Sequence, residues 1–458
     1  MDQVLLSSFK DPVLVRALLD CIEQRADELS GLRAHAGKLD KNGQPCPVRL
    51  MEVCGTHTVS IARAGFRSVL PPSIKLISGP GCPVCVTAHA DIDRIIALTR
   101  IPGVIVATFG DMVRVPGSST SLQQRKAEGA AVEVVYSPLD AIKLTQLHTV
   151  QDVQSARGAY SGETQDVNSV EAQIVLVGVG FETTTPLIAS TIERADELKL
   201  RNFSVLAIHK RVPPALRALA CDEEVALDAL ILPGHVSTIL GVKPYEFLAD
   251  EFNIPACITG FEPVDILQGI AQLLEQLIRI ETVDAARTEQ TDAAQIGHAG
   301  VAQNGHAGAA QNGHTGAAQN GHAGAACTKH EDKAHIEIAY KRAVMYDGNP
   351  TARAAIDRVF EMSEATWRGL GAIPQSGYTI RSEYASFDAS RRFAHQLEEL
   401  QEATVEPRGC KCPEVLRGVM APNNCPLFGK ACTPQNPVGP CMVSTEGSCA
   451  AYYRYALT

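Results

Sequence analysis

Aromatic side chains, basic charge and long apolar runs are all scarce in this sequence. Aromatic residues make up 5% of the chain, Trp367 is its single tryptophan, and the formal net charge is -10. Nucleic-acid binding relies on a basic footprint and often on stacked aromatic rings, so we expect no nucleic-acid partner. No apolar run reaches the ~20 residues of a membrane span, and the first ten residues lack the features of a secretory signal. We therefore expect a cytoplasmic protein that does not enter a membrane.

Cysteine, by contrast, is abundant and unevenly distributed. Six of the 14 cysteines lie in the last 49 residues, and three more lie in two short motifs near residues 54 and 82. In a reducing compartment, clustered cysteines indicate metal binding or redox chemistry rather than a disulfide framework. The isolated cysteines are expected to be small buried hydrophobes or incidental surface thiols: Cys21, Cys46, Cys221, Cys257 and Cys327.

Strand-like apolar runs alternate with helix-like segments from residue 46 onwards, which is typical of parallel α/β sheets. Val48–Val53 and Ile74–Ile77 are predicted strands of a first α/β domain, residues 46–150. A second α/β domain is predicted over residues 172–282. Its sheet would contain Ile174–Val179, Phe203–Ile208, Ala229–Leu232 and Ala256–Thr259. Two similar parallel-sheet domains in tandem place the expected site in the cleft that they face.

Residues 284–333 differ in composition from the rest of the chain. Histidines recur there every eight residues, after Gln-Ile-Gly at His298 and after Gln-Asn-Gly at His306, His314 and His322. Because the segment has almost no large apolar side chain to bury, it is predicted to be a disordered insertion. A weak chelating tract for nickel or zinc is the functional alternative.

The C-terminal cysteines give the strongest chemical signal. Cys410, Cys425, Cys432 and Cys449 are separated by gaps of 14, 6 and 16 residues. Four thiolates can hold either a tetrahedral zinc ion or an iron–sulfur cluster. Structural zinc usually uses tight pairs of ligands, whereas wide spacing suits a [4Fe-4S] cluster whose ligands come from separate loops. The spacing therefore favours the cluster, with structural zinc and free thiols as alternatives.

Cys54 follows a predicted strand and opens a predicted helix. In α/β sheets, ligands and chemistry gather just beyond the carboxyl ends of the strands. The N–H groups of the helix start would stabilise a thiolate, so Cys54 is a candidate soft-metal ligand or nucleophile. His57, in the first turn of that helix, could orient Cys54 or share its proton; a capping or surface role is the alternative.

Cys82 and Cys85 follow the next predicted strand, in the motif Gly-Pro-Gly-Cys-Pro-Val-Cys. Two cysteines at this spacing can form a small-ring disulfide of redox function. They could instead form half of a zinc site, with Cys54, His57 and His89 as the remaining candidate ligands.

Three further motifs follow predicted strands of the second domain. Gly178–Pro186 is interpreted either as a helix cap or as a cradle for an anion or a cofactor phosphate. Pro233–Ser237 and Thr259–Pro263 place polar residues at the same expected cleft. Each of these motifs is equally consistent with turn chemistry and with function.

Taken together, these motifs resemble those of the [NiFe]-hydrogenase maturation factor HypD family. The similar segments are Glu52–Thr58, Gly79–Cys85, Gly180–Pro186, Pro233–Ser237, Gly260–Pro263 and the C-terminal cysteines. The resemblance covers nearly the whole chain apart from the histidine-rich insertion, about whose role it says nothing.

The resemblance implies a third domain, residues 334–458, with a [4Fe-4S] cluster on Cys410, Cys425, Cys432 and Cys449. The N-terminal helical segment, residues 1–45, would pack on this domain. The thiol that carries the iron of the Fe(CN)2CO precursor falls on Cys54, and the redox pair on Cys82 and Cys85. A family acidic residue falls on Glu446. Together with Cys54, His57, Cys82 and Cys85, it makes up the predicted catalytic residues. Cys412 and Cys441 receive no metal role and are predicted to act as a thiol relay.

The resemblance also implies partners and a function. Cys54 and a cysteine of the small chaperone HypC would hold the iron, and HypE would deliver cyanide from a thiocyanate. Electrons would pass from the cluster through Cys82 and Cys85 to the iron. The protein would then be a redox-active assembly scaffold rather than a conventional turnover enzyme. An iron–sulfur thiol–disulfide oxidoreductase, which would not require Cys54, and a zinc-stabilised interaction protein are the alternatives.

Overall fold

The structure, a computed structural model, describes residues 11–158, 172–299 and 333–455. Its strands are β1 Val48–Glu52, β2 Ile74–Ser78, β3 Val104–Thr108, β4 Val132–Val134, β5 Gln173–Gly178, β6 Phe203–Ala207, β7 Ala229–Pro233, β8 Ala256–Thr259, β9 Ile336–Ile338, β10 Phe360–Trp367 and β11 Gly371–Ile380.

The helices that precede β5 are α1 Pro12–His35, α2 Gly55–Arg63, α3 Phe66–Val69, α4 Pro83–Val86, α5 His89–Leu98, α6 Gly110–Val113, α7 Leu122–Ala127 and α8 Pro138–Gly158. Those that follow are α9 Thr185–Glu197, α10 Val212–Ala220, α11 Gly234–Leu240, α12 Phe247–Asp250, α13 Pro263–Ala299, α14 Pro350–Val359, α15 Ala389–Arg392, α16 Ala394–Glu399, α17 Cys412–Leu416, α18 Pro440–Val443 and α19 Ser448–Tyr455. In the described part of the chain, no helix is long and apolar enough to cross a bilayer.

The strands form two parallel sheets and one hairpin. The first sheet has the order β2-β1-β7-β8-β9, and the second has the order β4-β3-β5-β6. Every pairing in these two sheets is parallel, whereas β10 and β11 pair antiparallel. The α/β class and the two parallel sheets predicted from the sequence are confirmed.

The predicted distribution of strands between the sheets is wrong. β7 and β8 were expected to continue the sheet of β5 and β6, but β7 pairs with β1 and carries β8 and β9 into the first sheet. Conversely, β3 and β4 pair with β5 rather than with β1 and β2. The second sheet is thus a contiguous insertion between two parts of the first, and neither 46–150 nor 172–282 corresponds to one sheet. Parallel strands buried on both faces are all uniformly apolar, so their composition does not identify their neighbours.

The N-terminal helix α1 packs along α13 rather than on the C-terminal cysteines. Its buried residues Ile22, Ala26 and Leu29 share a core cluster with the apolar face of α13. Arg25 donates to the carbonyl oxygen of Ala271 at 2.6 Å and pairs with Glu275 at 2.8 Å. The apolar stripe of α1 matches a long apolar neighbour, which determines its place in the fold.

Helix α13 also corrects the predicted start of the insertion. It extends from Pro263 to Ala299, so the chain is still helical at residue 284, where disorder was predicted to begin. The segment after residue 283 is rich in Ala, Gln and Glu, which are good helix formers. The rest of the predicted insertion, including His306, His314 and His322, lies outside the described residues.

The β10–β11 hairpin was not predicted from the sequence. Trp367 is buried at its closed end, and its Nε1–H donates to Ser376 Oγ at 2.9 Å. Isolated bridges join Trp367 to Thr87 and Gly377 to Lys210. Because Thr87 follows β2 and Lys210 follows β6, the hairpin contacts the chain next to both sheets.

The cysteine-rich segment, residues 410–449, packs on the carboxyl ends of the first sheet. Cys412 and Cys441 belong to the same core cluster as Met51 and Val53 of the β1 region. Gly418 has a positive φ of 75°, and a Cβ there would lie 2.5 Å from the Met51 side chain. The chain therefore brings its C-terminal thiols to the strand ends that carry Cys54 and Cys82.

Candidate functional site

Cys54 and the Cys82 motif are in direct backbone contact. Cys54 is the N-cap of α2, and the N–H of Gly55 donates to the carbonyl oxygen of Gly81 at 2.8 Å. A Cβ on Gly81 would lie 2.2 Å from the Cys54 nitrogen, so only glycine allows this approach. The structure thus brings together the two thiol motifs that the sequence places after neighbouring strands.

The Cys54 thiol is protonated at neutral pH. Burial, followed by the negative charge of Glu446, raises its pKa to about 11. The backbone N–H groups of His57 and Thr56 act in the opposite direction, as expected for a helix start, but burial outweighs them. The expected resting thiolate is therefore not what the structure provides. A bound cation would remove the proton, because a thiol ligand must be deprotonated.

Glu446 reaches Cys54 from the far end of the chain. Its Oε1 accepts a hydrogen bond from the Thr56 hydroxyl at 2.6 Å. The residue also lies directly on Gly55, where a Cβ would be 2.6 Å from the Glu446 Cβ. The acidic residue suggested by the family resemblance is thus beside the candidate iron-binding thiol.

His57 is fully buried, and its ring faces the end of β8. Its Nε2 lies 2.8 Å from both the Gly260 oxygen and the Thr259 hydroxyl, and its ring stacks on Phe261 at 4.6 Å. Burial lowers the pKa of His57 to about 4, so the ring is neutral at pH 7. These contacts fix α2 against the Gly260–Pro263 motif, whose Phe261 also stacks on His235 at 4.0 Å.

Cys82 and Cys85 form a disulfide, with their Cα atoms 5.2 Å apart. Both residues are buried, and Cys85 Sγ lies 4.0 Å from the Pro440 oxygen in the cysteine-rich segment. In this state their sulfurs are bonded to each other, which leaves no pair of free thiolates for zinc. His89 is equally unsuited to zinc, because the Arg368 guanidinium lies 3.3 Å from its Nδ1.

The C-terminal cysteines surround one small pocket. Its wall contains all six of them together with apolar residues such as Leu427, Phe428 and Met442: Cys410, Cys412, Cys425, Cys432, Cys441 and Cys449. The sulfurs of Cys412 and Cys441 lie 2.6 Å apart, and the N–H of Val438 donates to Cys432 Sγ at 3.3 Å. The predicted clustering of these thiols is therefore present in the fold.

The pocket's donor set, thiols inside an apolar wall, is of the kind that holds an iron–sulfur group. Among the described residues, no three His, Cys, Asp or Glu side chains converge closely enough to hold one metal ion. A cubane places its four thiolates on four separate corner irons, further apart than the ligands of one ion. The pocket supplies thiols only, with a backbone N–H directed at one sulfur. A side-chain hydrogen bond with Cys412, followed by burial, raises the pKa of Cys410, and burial raises the pKa of Cys432, so an ionised ligand set needs a compensating cation.

The Gly178–Pro186 motif forms a turn around a buried carboxyl group. The N–H of Thr184 and the hydroxyl of Thr185 both donate to the Phe181 oxygen, at 3.0 and 2.9 Å. Glu182 is fully buried, and its Oε1 accepts from the N–H of Val212 at 3.0 Å. These hydrogen bonds are those of a turn that leads into α9, so turn chemistry accounts for the described contacts of the motif.

Replacing Glu182 with Gln should change how stability depends on pH. Burial raises the pKa of Glu182 from 4.5 to about 7, so folding favours the protonated form. Its contribution is complete below about pH 4 and is lost as the pH rises through 7. We expect Glu182→Gln, whose amide oxygen can still accept from Val212, to match the wild type at about pH 4 and to exceed it by roughly 3 kcal/mol at about pH 9. Denaturant unfolding across this range would measure it; parallel profiles for the two proteins would contradict it.

The fold and site define an α/β thiol protein in which a buried cysteine, a disulfide and a six-cysteine pocket meet at the edge of a parallel sheet. The HypD family model, described as "Hydrogenase formation hypA family", matches residues 32–292 and 323–456. The hydrogenase maturation factor HypD of Rhodobacter capsulatus is 38% identical over 98% of this chain and 97% of its own. HypD of Azotobacter vinelandii is 39% identical over 89% of each chain, and HypD of Escherichia coli is 35% identical over 98% of this chain and 97% of its own. The chain therefore belongs to the HypD family of hydrogenase maturation factors.

Proposed function

We propose that this protein is the scaffold on which the Fe(CN)2CO unit of [NiFe] hydrogenase is assembled. Cys54 would hold the substrate iron, and the Cys82–Cys85 pair would supply reducing equivalents beside it. The observation that carries the proposal is the backbone contact between Gly55 and Gly81, which fixes a metal-ligand thiol next to a redox-active pair. A cysteine of the small chaperone HypC would complete the thiolate ligation.

Iron binding at Cys54 requires that its proton leave. Glu446 is an acidic group beside the Cys54 thiol and would take up this proton. Its negative charge acts on Cys54, and its carboxylate accepts from Thr56, two residues after Cys54. The carboxylate can receive the proton directly or through the Thr56 hydroxyl. Burial of Cys54 excludes water from the site, which strengthens the electrostatic attraction between a thiolate and Fe(II).

The Cys82–Cys85 pair fits the two-electron step that cyanide delivery needs. HypE would present a thiocyanate, whose carbon–sulfur bond must break to release cyanide. In the reduced state, the two thiols would lose two electrons and two protons and form their S–S bond. The thiocyanate would take both electrons and both protons, giving a thiol and hydrogen cyanide. The Cys82–Cys85 disulfide would be the product state of this reaction.

The cysteine-rich pocket would hold the resident [4Fe-4S] cluster through Cys410, Cys425, Cys432 and Cys449. Such a cluster supplies electrons one at a time at a potential set by its hydrogen bonds and burial. The chain contributes the apolar wall of Phe428 and Met442 and the N–H of Val438 directed at Cys432.

An iron–sulfur thiol–disulfide oxidoreductase is the second candidate. It is favoured by the position of Cys85, whose sulfur lies 4.0 Å from Pro440 in the wall of the cysteine-rich segment. This activity would require the disulfide and the cluster but not Cys54. The two functions are therefore separated by whether iron with diatomic ligands accumulates on the protein.

Infrared spectroscopy of the anaerobically purified complex tests the proposal. The protein would be coproduced with HypC and HypE and compared with protein produced without HypE. We expect cyanide and carbon monoxide stretching bands only in the complete complex, together with iron in excess of the cluster. An absence of both bands from a complex that contains the cluster and both partners would contradict the scaffold function and favour the oxidoreductase.

A further inference from the structure

Asp111 connects the second sheet to the loop that carries Glu446. It lies in the first turn of α6, directly after β3. One of its oxygens, Oδ2, accepts three hydrogen bonds: from Ser444 Oγ at 3.1 Å, from the Thr445 N–H at 3.0 Å and from Thr445 Oγ1 at 3.1 Å. Among the described residues, Asp111 has no ion-pair partner, so these three donors are its principal partners.

The same loop contacts the first sheet through the next residue. Glu446 accepts from Thr56 at 2.6 Å and covers Gly55 at the start of α2. Its own N–H donates to Ser444 Oγ at 3.3 Å, so the loop is internally braced. Residues 444–446 thus form a bridge with Asp111 of the second sheet at one end and Thr56 of the first sheet at the other.

The bridge also forms one wall of the cleft between the sheets. Asp111, Thr184 and Glu446 line a cavity of about 430 Å³, together with Pro83 and Val84 of the Cys82 motif. A displacement of the loop would therefore change the cover of Cys54 and the charge beside it together.

We propose that Asp111 is a positioning residue, which holds Glu446 against Thr56 and Cys54 through Ser444 and Thr445. The second sheet then controls how the start of α2, which carries the Cys54 thiol of the first sheet, is covered. The proposal rests on the proposed function only in taking Cys54 as the iron ligand; the bridge itself is a property of the free protein.

Alkylation of Cys54 in the full-length protein tests this role. Iodoacetamide would be added at about pH 8 without partners, and modification of the Cys54 peptide would be followed by mass spectrometry. We expect Asp111→Ala to raise the rate about three- to tenfold, because the loop that covers the start of α2 is released and the thiol becomes accessible. Asp111→Asn, which keeps an acceptor oxygen, should remain within about twofold of the wild type.

Two further variants test whether Asp111 acts through Glu446. Glu446→Ala, which removes the cover of Gly55, should also accelerate alkylation, and the double variant should react no faster than the faster single one, since the two residues form one unit. Thr445→Val removes one of the three donors and should give a smaller increase, which keeps the test available if Asp111→Ala folds poorly. Asp140→Ala is the matched control, because Asp140 also accepts at a helix start, from Ser137.

Three results would overturn the proposal. These are an unchanged rate in Asp111→Ala with only a lowered melting temperature, an unchanged rate in Glu446→Ala, and full additivity in the double variant. The alkylation assay uses protein without partners, so its rates do not test whether the iron unit is assembled. A failure of the proposed assembly function would appear instead as missing infrared bands in a wild type whose Cys54 reacts as described.

Discussion

Replacing Cys54 with Ala should abolish the cyanide and carbon monoxide bands while leaving the iron–sulfur absorption intact. Cys54 is the proposed protein ligand of the substrate iron, and no other described cysteine lies at the end of β1. Even the outer partners of metal ligands are worth about 10- to 100-fold in affinity, so loss of the ligand itself should reduce the bound iron complex by more than about 100-fold. Infrared spectra and metal analysis of the complex with HypC and HypE would measure it.

The control for Cys54 is Cys257→Ala. Cys257 is also a buried cysteine of the first sheet, and burial likewise raises its pKa to about 12. It lies within β8 rather than beyond a strand end, and we expect its variant to retain both bands. Retained bands in Cys54→Ala would rule out Cys54 as the iron ligand and would favour the disulfide oxidoreductase.

Replacing Cys425 with Ala should remove the cluster. We expect iron and acid-labile sulfide to fall from about four each per chain to less than about one, with loss of the visible absorption. The pocket has six thiols but a cubane needs four. The variant therefore tests whether Cys425 is one of the four ligands. Analysis of anaerobically purified protein for iron, sulfide and zinc gives the result directly.

Cys412→Ala is the matched control within the same pocket. Cys412 is buried beside Cys441, with their sulfurs 2.6 Å apart, and the proposal gives neither of them a metal role. We expect this variant to keep its iron and sulfide. Loss of the cluster from Cys412→Ala but not from Cys425→Ala would reassign the ligands, and stoichiometric zinc in the wild type would replace the cluster with a structural site.

Individual strands and motifs could be predicted from the sequence where the residues of that one segment suffice to indicate them. The apolar runs at β1, β2 and β5 identified buried strands, and the thiols after β1 and β2 identified a shared sheet edge. The neighbour of each strand in its sheet could not be predicted from the sequence. β7 pairs with β1, but its residues are as apolar as those of β6, so composition does not distinguish the two sheets. The β10–β11 hairpin was missed for a related reason: Glu361 and Glu364 give β10 an exposed, polar character.

The sequence indicated that the two thiol motifs lie together, but it did not indicate the electrostatics around them. Thr56 and Glu446 are 390 positions apart, so no local pattern connects them, and Glu446 was found only through the family resemblance. The helix start after Cys54 correctly indicated N–H groups near the thiol. Burial, which reverses their effect on its pKa, depends on the whole fold. Asp111 follows the end of β3, as Cys54 follows β1 and Cys82 follows β2. This position was the signal in the sequence from which Asp111 could have been predicted.

The insertion of the second sheet into the first has a consequence for how the protein is made. β1 emerges early during synthesis, but its partner β7 becomes available only after all of β3 to β6 has been produced. Contacts between such distant segments form slowly and leave strand edges exposed in the meantime. The Cys54 edge is completed later still, when Glu446 closes over Gly55. A truncated or nascent chain therefore could not present the finished surroundings of Cys54, which would couple the proposed loading of iron to completion of the polypeptide.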